Sequence, residues 1–156
     1  MPVEKLKTYL DEHDVKYVTI KHSRAYTAQE VAASAHIPGK RMAKSVMVKL
    51  DGEMAMAVLP ASYQVDLDQL RARTGADVVE LAGEDEFEAL FPECELGAMP
   101  PFGRLYGMKT FMAAALADDE EIAFNAGSHT ELIQLSYREY VRLEDPIVLH
   151  FALEPA

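Results

Sequence analysis

The stretch Ser45-Val46-Met47-Val48-Lys49-Leu50, Asp51-Gly52, Glu53-Met54-Ala55-Met56-Ala57-Val58-Leu59 constrains this chain most. Two apolar runs sit either side of an Asp-Gly dipeptide, which tolerates the positive φ angles of the tight turn whose twist suits paired strands. The sequence therefore predicts an antiparallel hairpin, and a two-residue turn fixes its register.

Other elements follow from periodicity. Val3, Leu6 and Leu10, with Tyr9, recur at helical spacing and predict an amphipathic helix over 2–13, followed by a strand over Lys16–Ile20. Thr27-Ala28-Gln29-Glu30 has the capping-box pattern and predicts a helix to about Ala35, with Pro38-Gly39 ending it. Leu67, Leu70 and Arg71-Ala72-Arg73 predict a short helix after Asp66, Val78–Leu81 a strand, and Asp85–Leu90 a helix capped near Gly83. Beyond Leu105, the runs Phe111–Leu116, Glu121–Asn125 and Glu131–Leu135, a helix over Ser136–Arg142 and the stretch Pro146–Leu153 complete the pattern. The expected fold is α+β (mixed α/β): a mostly antiparallel mixed sheet or partial barrel surrounded by short helices. No repeat, low-complexity tract or linker interrupts it, so residues 1–156 are expected to form one domain.

Charge and residue usage then narrow the function classes. A formal net charge of −11 opposes coating of a nucleic acid through many phosphate contacts, and DNA is not an expected partner. A local patch remains available in Lys40-Arg41-Met42-Ala43-Lys44, with Lys49 beyond it, because the acids gather elsewhere, at Glu84–Glu88 and Asp118–Glu121. Cys94 is the only cysteine, which excludes an internal disulfide and a multi-thiolate metal site and points to a reducing compartment. The opening residues lack a signal-peptide pattern and no stretch reaches the roughly 20 apolar residues of a membrane span, so a cytoplasmic location is expected.

Most familiar catalytic signatures fail. His13, His22, His36, His129 and His150 are isolated from one another, with no paired metal-ligand spacing, so neither a metal nor another cofactor is expected. Phosphate-binding glycine loops are absent, and Ser128 beside His129 lacks the Gly-x-Ser-x-Gly elbow of a serine hydrolase. Glu93 and Glu95 flank Cys94 and would suppress its thiolate.

Three separated pieces survive as parts of one polar pocket. Lys44-Ser45 stands at a strand entrance, where an ammonium can reach an anionic group, the bland alternative being a surface lysine with a snorkelling head. Gly97-Ala98-Met99-Pro100-Pro101-Phe102-Gly103 joins rigid prolines to glycines that permit close ligand approach, and Gly127-Ser128-His129 adds a flexible turn and an imidazole. Met47, Met99, Phe102 and Ile20 are candidate pocket walls, or ordinary core residues.

The order Lys44-Ser45, Gly97-x-x-x-Pro101-Phe102, Gly127-Ser128-His129 resembles the YbaK family of freestanding aminoacyl-tRNA deacylases and prolyl-tRNA synthetase editing domains. The resemblance spans nearly the whole chain, including Tyr26–Glu30 and the Asp51-Gly52 hairpin. It implies metal-independent hydrolysis of the ester on a mischarged tRNA, with Ala or Cys on tRNA(Pro) as expected substrates. The partners implied are the aminoacyl-tRNA acceptor end and, as a candidate, a synthetase. Lys44, Gly97 and His129 become the implied catalytic residues. Lys40, Arg41, Ser45, Met47, Met99, Pro101, Phe102, Gly127 and Ser128 become the implied substrate-binding set. An aminoacyl ester is already activated, so backbone N–H groups and a positioned water suffice without a side-chain nucleophile. The alternative is a non-catalytic module that holds a small ligand or a protein in the same pocket.

Overall fold

The computed structural model describes residues 4–21, 42–92, 94–95, 98–118, 120–128 and 130–154. In chain order its elements are α1 (Glu4–Glu12), β1 (Tyr17–Lys21), β2 (Met42–Leu50), β3 (Glu53–Pro60), β4 (Gln64–Val65), α2 (Leu67–Thr74), β5 (Val79–Leu81), α3 (Glu84–Phe87), β6 (Lys109–Ala113), β7 (Glu121–Asn125), β8 (Glu131–Ser136), α4 (Tyr137–Glu144), β9 (Ile147–Leu149) and β10 (Ala152–Leu153). Short 3-10 turns occupy Glu88–Leu90, Gly103–Tyr106 and Ala114–Asp118. The helix expected at Thr27–Ala35 lies outside the described residues.

The predicted hairpin forms. β2 pairs antiparallel with β3 from Ala43 opposite Pro60 to Leu50 opposite Glu53, and Asp51 and Gly52 take φ of 51° and 84°. Asp51 does more than turn the chain: its carboxylate accepts hydrogen bonds from the Asp77 and Val78 amides at 3.0 and 2.8 Å. That contact delivers β5 to the outer edge of β2. The strand begins at Met42, so Lys44 sits inside it and not ahead of it.

The main sheet runs β1-β8-β7-β2-β3-β6-β9, with β5 also on β2. It is mixed: β7 on β2, β3 on β6 and β6 on β9 are parallel, and the other pairings are antiparallel. Pro146–Leu153, expected as one stretch, divides between β9 in this sheet and β10, which pairs with β4 in a separate two-stranded ribbon. Phe111–Leu116 likewise divides, because the chain leaves β6 after Ala113 for a 3-10 turn. Helix starts follow the caps. Asp66 accepts from the amides of Asp68 and Gln69 at the start of α2, and Ser136 accepts from the Glu139 amide at the start of α4.

Alternation along the strands gives each sheet face its own core. On one face Met47, Met56, Val58, Met112, Phe124 and Ile133 pack with Leu6 and Leu10 of α1 and with Tyr140 and Leu143 of α4. On the other, Val48, Ala57, Leu59 and Phe111 pack with Tyr63, with Leu70 of α2 and with Phe151. Phe102 is the aromatic centre of the first core, fully buried and edge-on to Phe124 and Tyr140 at centroid distances of 5.5 and 5.2 Å. Truncating it removes both ring contacts and opens a cavity. Phe102→Ala is therefore expected to lower stability by about 3–5 kcal/mol in urea unfolding; a loss below about 1 kcal/mol would contradict this packing.

Candidate active site

The site begins where the sheet splits. β7 runs parallel to β2 for only two residue pairs, Met42 with Ala123 and Ala43 with Phe124. Further along the same edge β2 takes β5 instead, from Val48 to Leu50, and the Met47 carbonyl accepts the Ala82 amide at 2.9 Å. Among the described residues, no strand pairs with that edge of β2 at Lys44, Ser45 and Val46. This unpaired stretch lies beyond the carboxyl end of β7 and within the first half of β2.

The proline loop closes the other side of the opening. The Gly127 amide donates to the Ala98 carbonyl at 2.9 Å, and the Gly127 carbonyl accepts the Glu95 amide at 2.8 Å. Gly127 has φ of 98°, a conformation that favours glycine. By register Lys44 and Ser45 of β2 lie next to the end of β7, and Gly127, two residues past that end, is bonded to Ala98 of the loop. Gly97, His129, Lys40 and Arg41 lie outside the described residues.

Side-chain directions follow from register. Lys44 and Asn125, next after the Ala43–Phe124 pair, are placed towards one face, and Ser45, opposite Val58, towards the core that holds Met99 and Phe102. Lys44 is partly buried, and that desolvation lowers the pKa of its ammonium below the ordinary lysine value. It has no carboxylate partner among the described residues, whereas Lys49, the other cation of this strand, is tied to Glu86 and Glu80. Two further polar atoms beside the split, Ser45 Oγ and Asn125 Oδ1, are buried and unpartnered among the described residues. A buried polar atom without a hydrogen bond is costly and uncommon in a folded protein.

The remaining expected site residues are placed as follows. Met47, Met99 and Phe102 are buried in the first core. Pro101 is buried, with its carbonyl accepting from Tyr140 Oη at 2.7 Å. Ser128 Oγ lies 3.0 Å from Thr130 Oγ1 and accepts the Thr130 amide at 3.1 Å, so it holds its own turn. Asn125 was not singled out from sequence as a binding residue; its signal is a buried amide at the end of an apolar strand. No cluster of three or more His, Cys, Asp or Glu side chains suited to a metal occurs among the described residues, and no described helix is long and apolar enough to cross a membrane.

Among the described residues, the split in the mixed sheet thus carries a lysine without a carboxylate partner, two buried polar atoms without hydrogen bonds and, beyond β7, the proline loop. Residues 22–143 match the aminoacyl-tRNA editing domain model, and the chain belongs to that family. Its enzyme class is that of an aminoacyl-tRNA hydrolase. The chain is 27% identical over 153 residues to the multifunctional Ser/Thr-tRNA deacylase ProXp-y of Escherichia coli K12, covering 95% of this chain and 91% of the relative. It is 36% identical over 81 residues to a proline–tRNA ligase of Staphylococcus saprophyticus, which covers 52% of this chain and 13% of that much longer enzyme. The fold matches the crystal structure of hypothetical protein APE2540 with a TM-score of 0.85 at 18% identity, covering 96% of this chain and 99% of that one. It also matches a candidate trans-editing enzyme for prolyl-tRNA synthetase with a TM-score of 0.80 at 18% identity, covering 97% and 96%.

Because desolvation works against the Lys44 charge, that charge does not support the fold. Lys44→Met is expected to keep the protein folded, with stability unchanged within about 0.5 kcal/mol or raised. Thermal unfolding at neutral pH checks this, and a large loss would assign Lys44 a structural role.

Proposed function

We propose that this protein is a trans-editing deacylase that removes a small hydroxylated amino acid from a mischarged tRNA. The observation that carries the reading is that, among the described residues, Ser45 Oγ and Asn125 Oδ1 are buried and unpartnered on opposite faces of the split, with Lys44 unpaired on the Asn125 face. Ser45, on the face that holds Met99 and Phe102, would offer a hydrogen-bond partner for a side-chain hydroxyl, and Lys44 with Asn125, on the other face, would offer a cation for the phosphate or ester oxygen and an acceptor for a ribose hydroxyl of the acceptor end. The Ser/Thr-tRNA deacylase relative, of which the chain covers 91%, supports the same substrate class. A site built to bond a hydroxyl discriminates strongly against an analogue lacking it, because its polar atoms are then left unpaired.

The chemistry asks little of the side chains. Water adds to the ester carbonyl, the bond to the ribose oxygen breaks, and the departing ribose oxygen takes up a proton to regenerate the tRNA hydroxyl. Backbone N–H groups on the length of β2 edge that no described strand pairs would stabilise the developing oxyanion, and Lys44 would hold the tRNA end in place. The acidic chain needs no broad tRNA surface for this, since contact with the acceptor end is local.

The test is release of labelled amino acid from Ser-, Thr-, Ala- and Cys-tRNAs, with Ala- and Cys-tRNA(Pro) as the competing substrates implied by the sequence resemblance. The expected result is faster hydrolysis of the hydroxylated esters, lowered roughly 10- to 100-fold by Lys44→Ala, the loss of a hydrogen bond to a charged group. Preference for Ala or Cys esters would overturn the hydroxyl assignment. Absence of turnover across the panel would favour a non-catalytic binding module.

A further inference from the structure

The proline loop is held from behind by one face of α4. Tyr140, completely buried, donates from its hydroxyl to the Pro101 carbonyl at 2.7 Å. One turn later Glu144, 3% exposed, accepts the Arg104 amide through Oε2 at 3.1 Å, and the Thr110 hydroxyl donates to the same oxygen. Residues four apart on a helix share a face, so these two side chains grip both ends of the segment from Pro101 to Thr110. The upstream end of that segment, Ala98, is bonded to Gly127 at the split. Glu144 Oε1 has no partner among the described residues.

Accepting the deacylase reading above, we infer that Tyr140 and Glu144 are positioning residues that fix the Ala98–Thr110 segment against the substrate, and that the charge state of Glu144 sets how firmly it is held. Its surroundings allow both states near neutrality. Burial raises the carboxyl to about 7, opposed by the bonds from Thr110 and the Arg104 amide and by the Arg104 charge. The other groups around it are Tyr140 and Tyr9, both kept neutral by pKa values raised chiefly by burial. Arg104 also faces Asp145 at 4.0 Å, and Lys109 and Glu53 line the cavity that Glu144 borders. An ionised acceptor makes stronger hydrogen bonds than a neutral one, so the hold on Arg104 tightens as pH rises through about 7. The effect on global stability has the opposite sign. A carboxyl whose folded pKa is raised stabilises the fold below its unfolded value, and that contribution is lost as pH rises through about 7.

Two readouts test the inference. Amide hydrogen exchange at Arg104, expressed as a protection factor, is expected to rise severalfold from pH 6 to pH 8 in the wild type and to stay flat in Glu144→Gln. In deacylation assays Glu144→Gln and Tyr140→Phe are expected to lower kcat by about 10-fold with KM within about 2-fold, since a displaced loop harms geometry more than binding. An inflection of kcat near pH 7, after subtraction of spontaneous hydrolysis, should be present in the wild type and absent in Glu144→Gln. Matching Arg104 profiles in wild type and Glu144→Gln, or a loss confined to KM or to melting temperature, would overturn it. Should the wild type hydrolyse no ester, the activity reading fails while Arg104 exchange still decides whether the clamp exists.

Discussion

The two-pair parallel contact between β2 and β7 organises everything around it. Strand edges carry backbone donors and acceptors that need partners or water. When β7 departs after Phe124, β2 takes up β5 at Val48 and the extension of β7 takes up the 95–98 loop. What is left between them is a short length of β2 edge at Lys44–Val46 with which no described strand pairs. A longer β2–β7 ladder would seal the opening, and a shorter one would remove the pairing that sets Lys44 beside Asn125.

That opening concentrates groups at odds with their surroundings. Lys44 is partly desolvated and unpaired among the described residues, and Ser45 and Asn125 hold buried acceptors that the described residues leave empty. Several polar groups elsewhere are matched: Lys49 with Glu86, Asp51 with two amides of the β5 approach, Ser136 with its own helix. Local departures from polar pairing are expected at functional sites, where the substrate completes the set. The proline loop, by contrast, is firmly supported. Phe102 anchors it in an aromatic core and Tyr140 fixes a carbonyl that a proline-rich turn would otherwise expose.

Local patterns made most elements legible in the sequence. The Asp51-Gly52 turn, the helix after Asp66 and the apolar runs of β7 and β8 each depend on near neighbours, and each occurs close to its expected place. Residue type singled out Lys44-Ser45, the proline loop and Gly127-Ser128 as candidate parts of one pocket and the family resemblance ordered them, but the parallel pairing between distant residues had no local signal. The split itself was not legible: no local signal says where a strand abandons its partner. Glu144 escaped for a related reason. Next to Asp145 at the end of an amphipathic helix it reads as a solvated charge, and only the loop folded over it makes it a buried one. Phe102 shows the reverse, since a pocket wall and a core anchor have the same apolar signature until the neighbours are known.

The same β2–β7 contact also dictates when the site can exist. Met42 meets Ala123 only after the intervening hairpin, α2, the proline loop and β6 have been made, and β7 needs β8 on its other side. Contacts between residues far apart in sequence carry a loop-closure cost before they return any stabilisation and slow folding accordingly. A growing chain can close its hairpin as soon as Pro60 is made, whereas the β2–β7 pairing needs residues from Glu121 onward, the last quarter of the sequence. The site thus depends on pairings between residues about 80 positions apart, the kind that contribute most to the loop-closure cost of this fold.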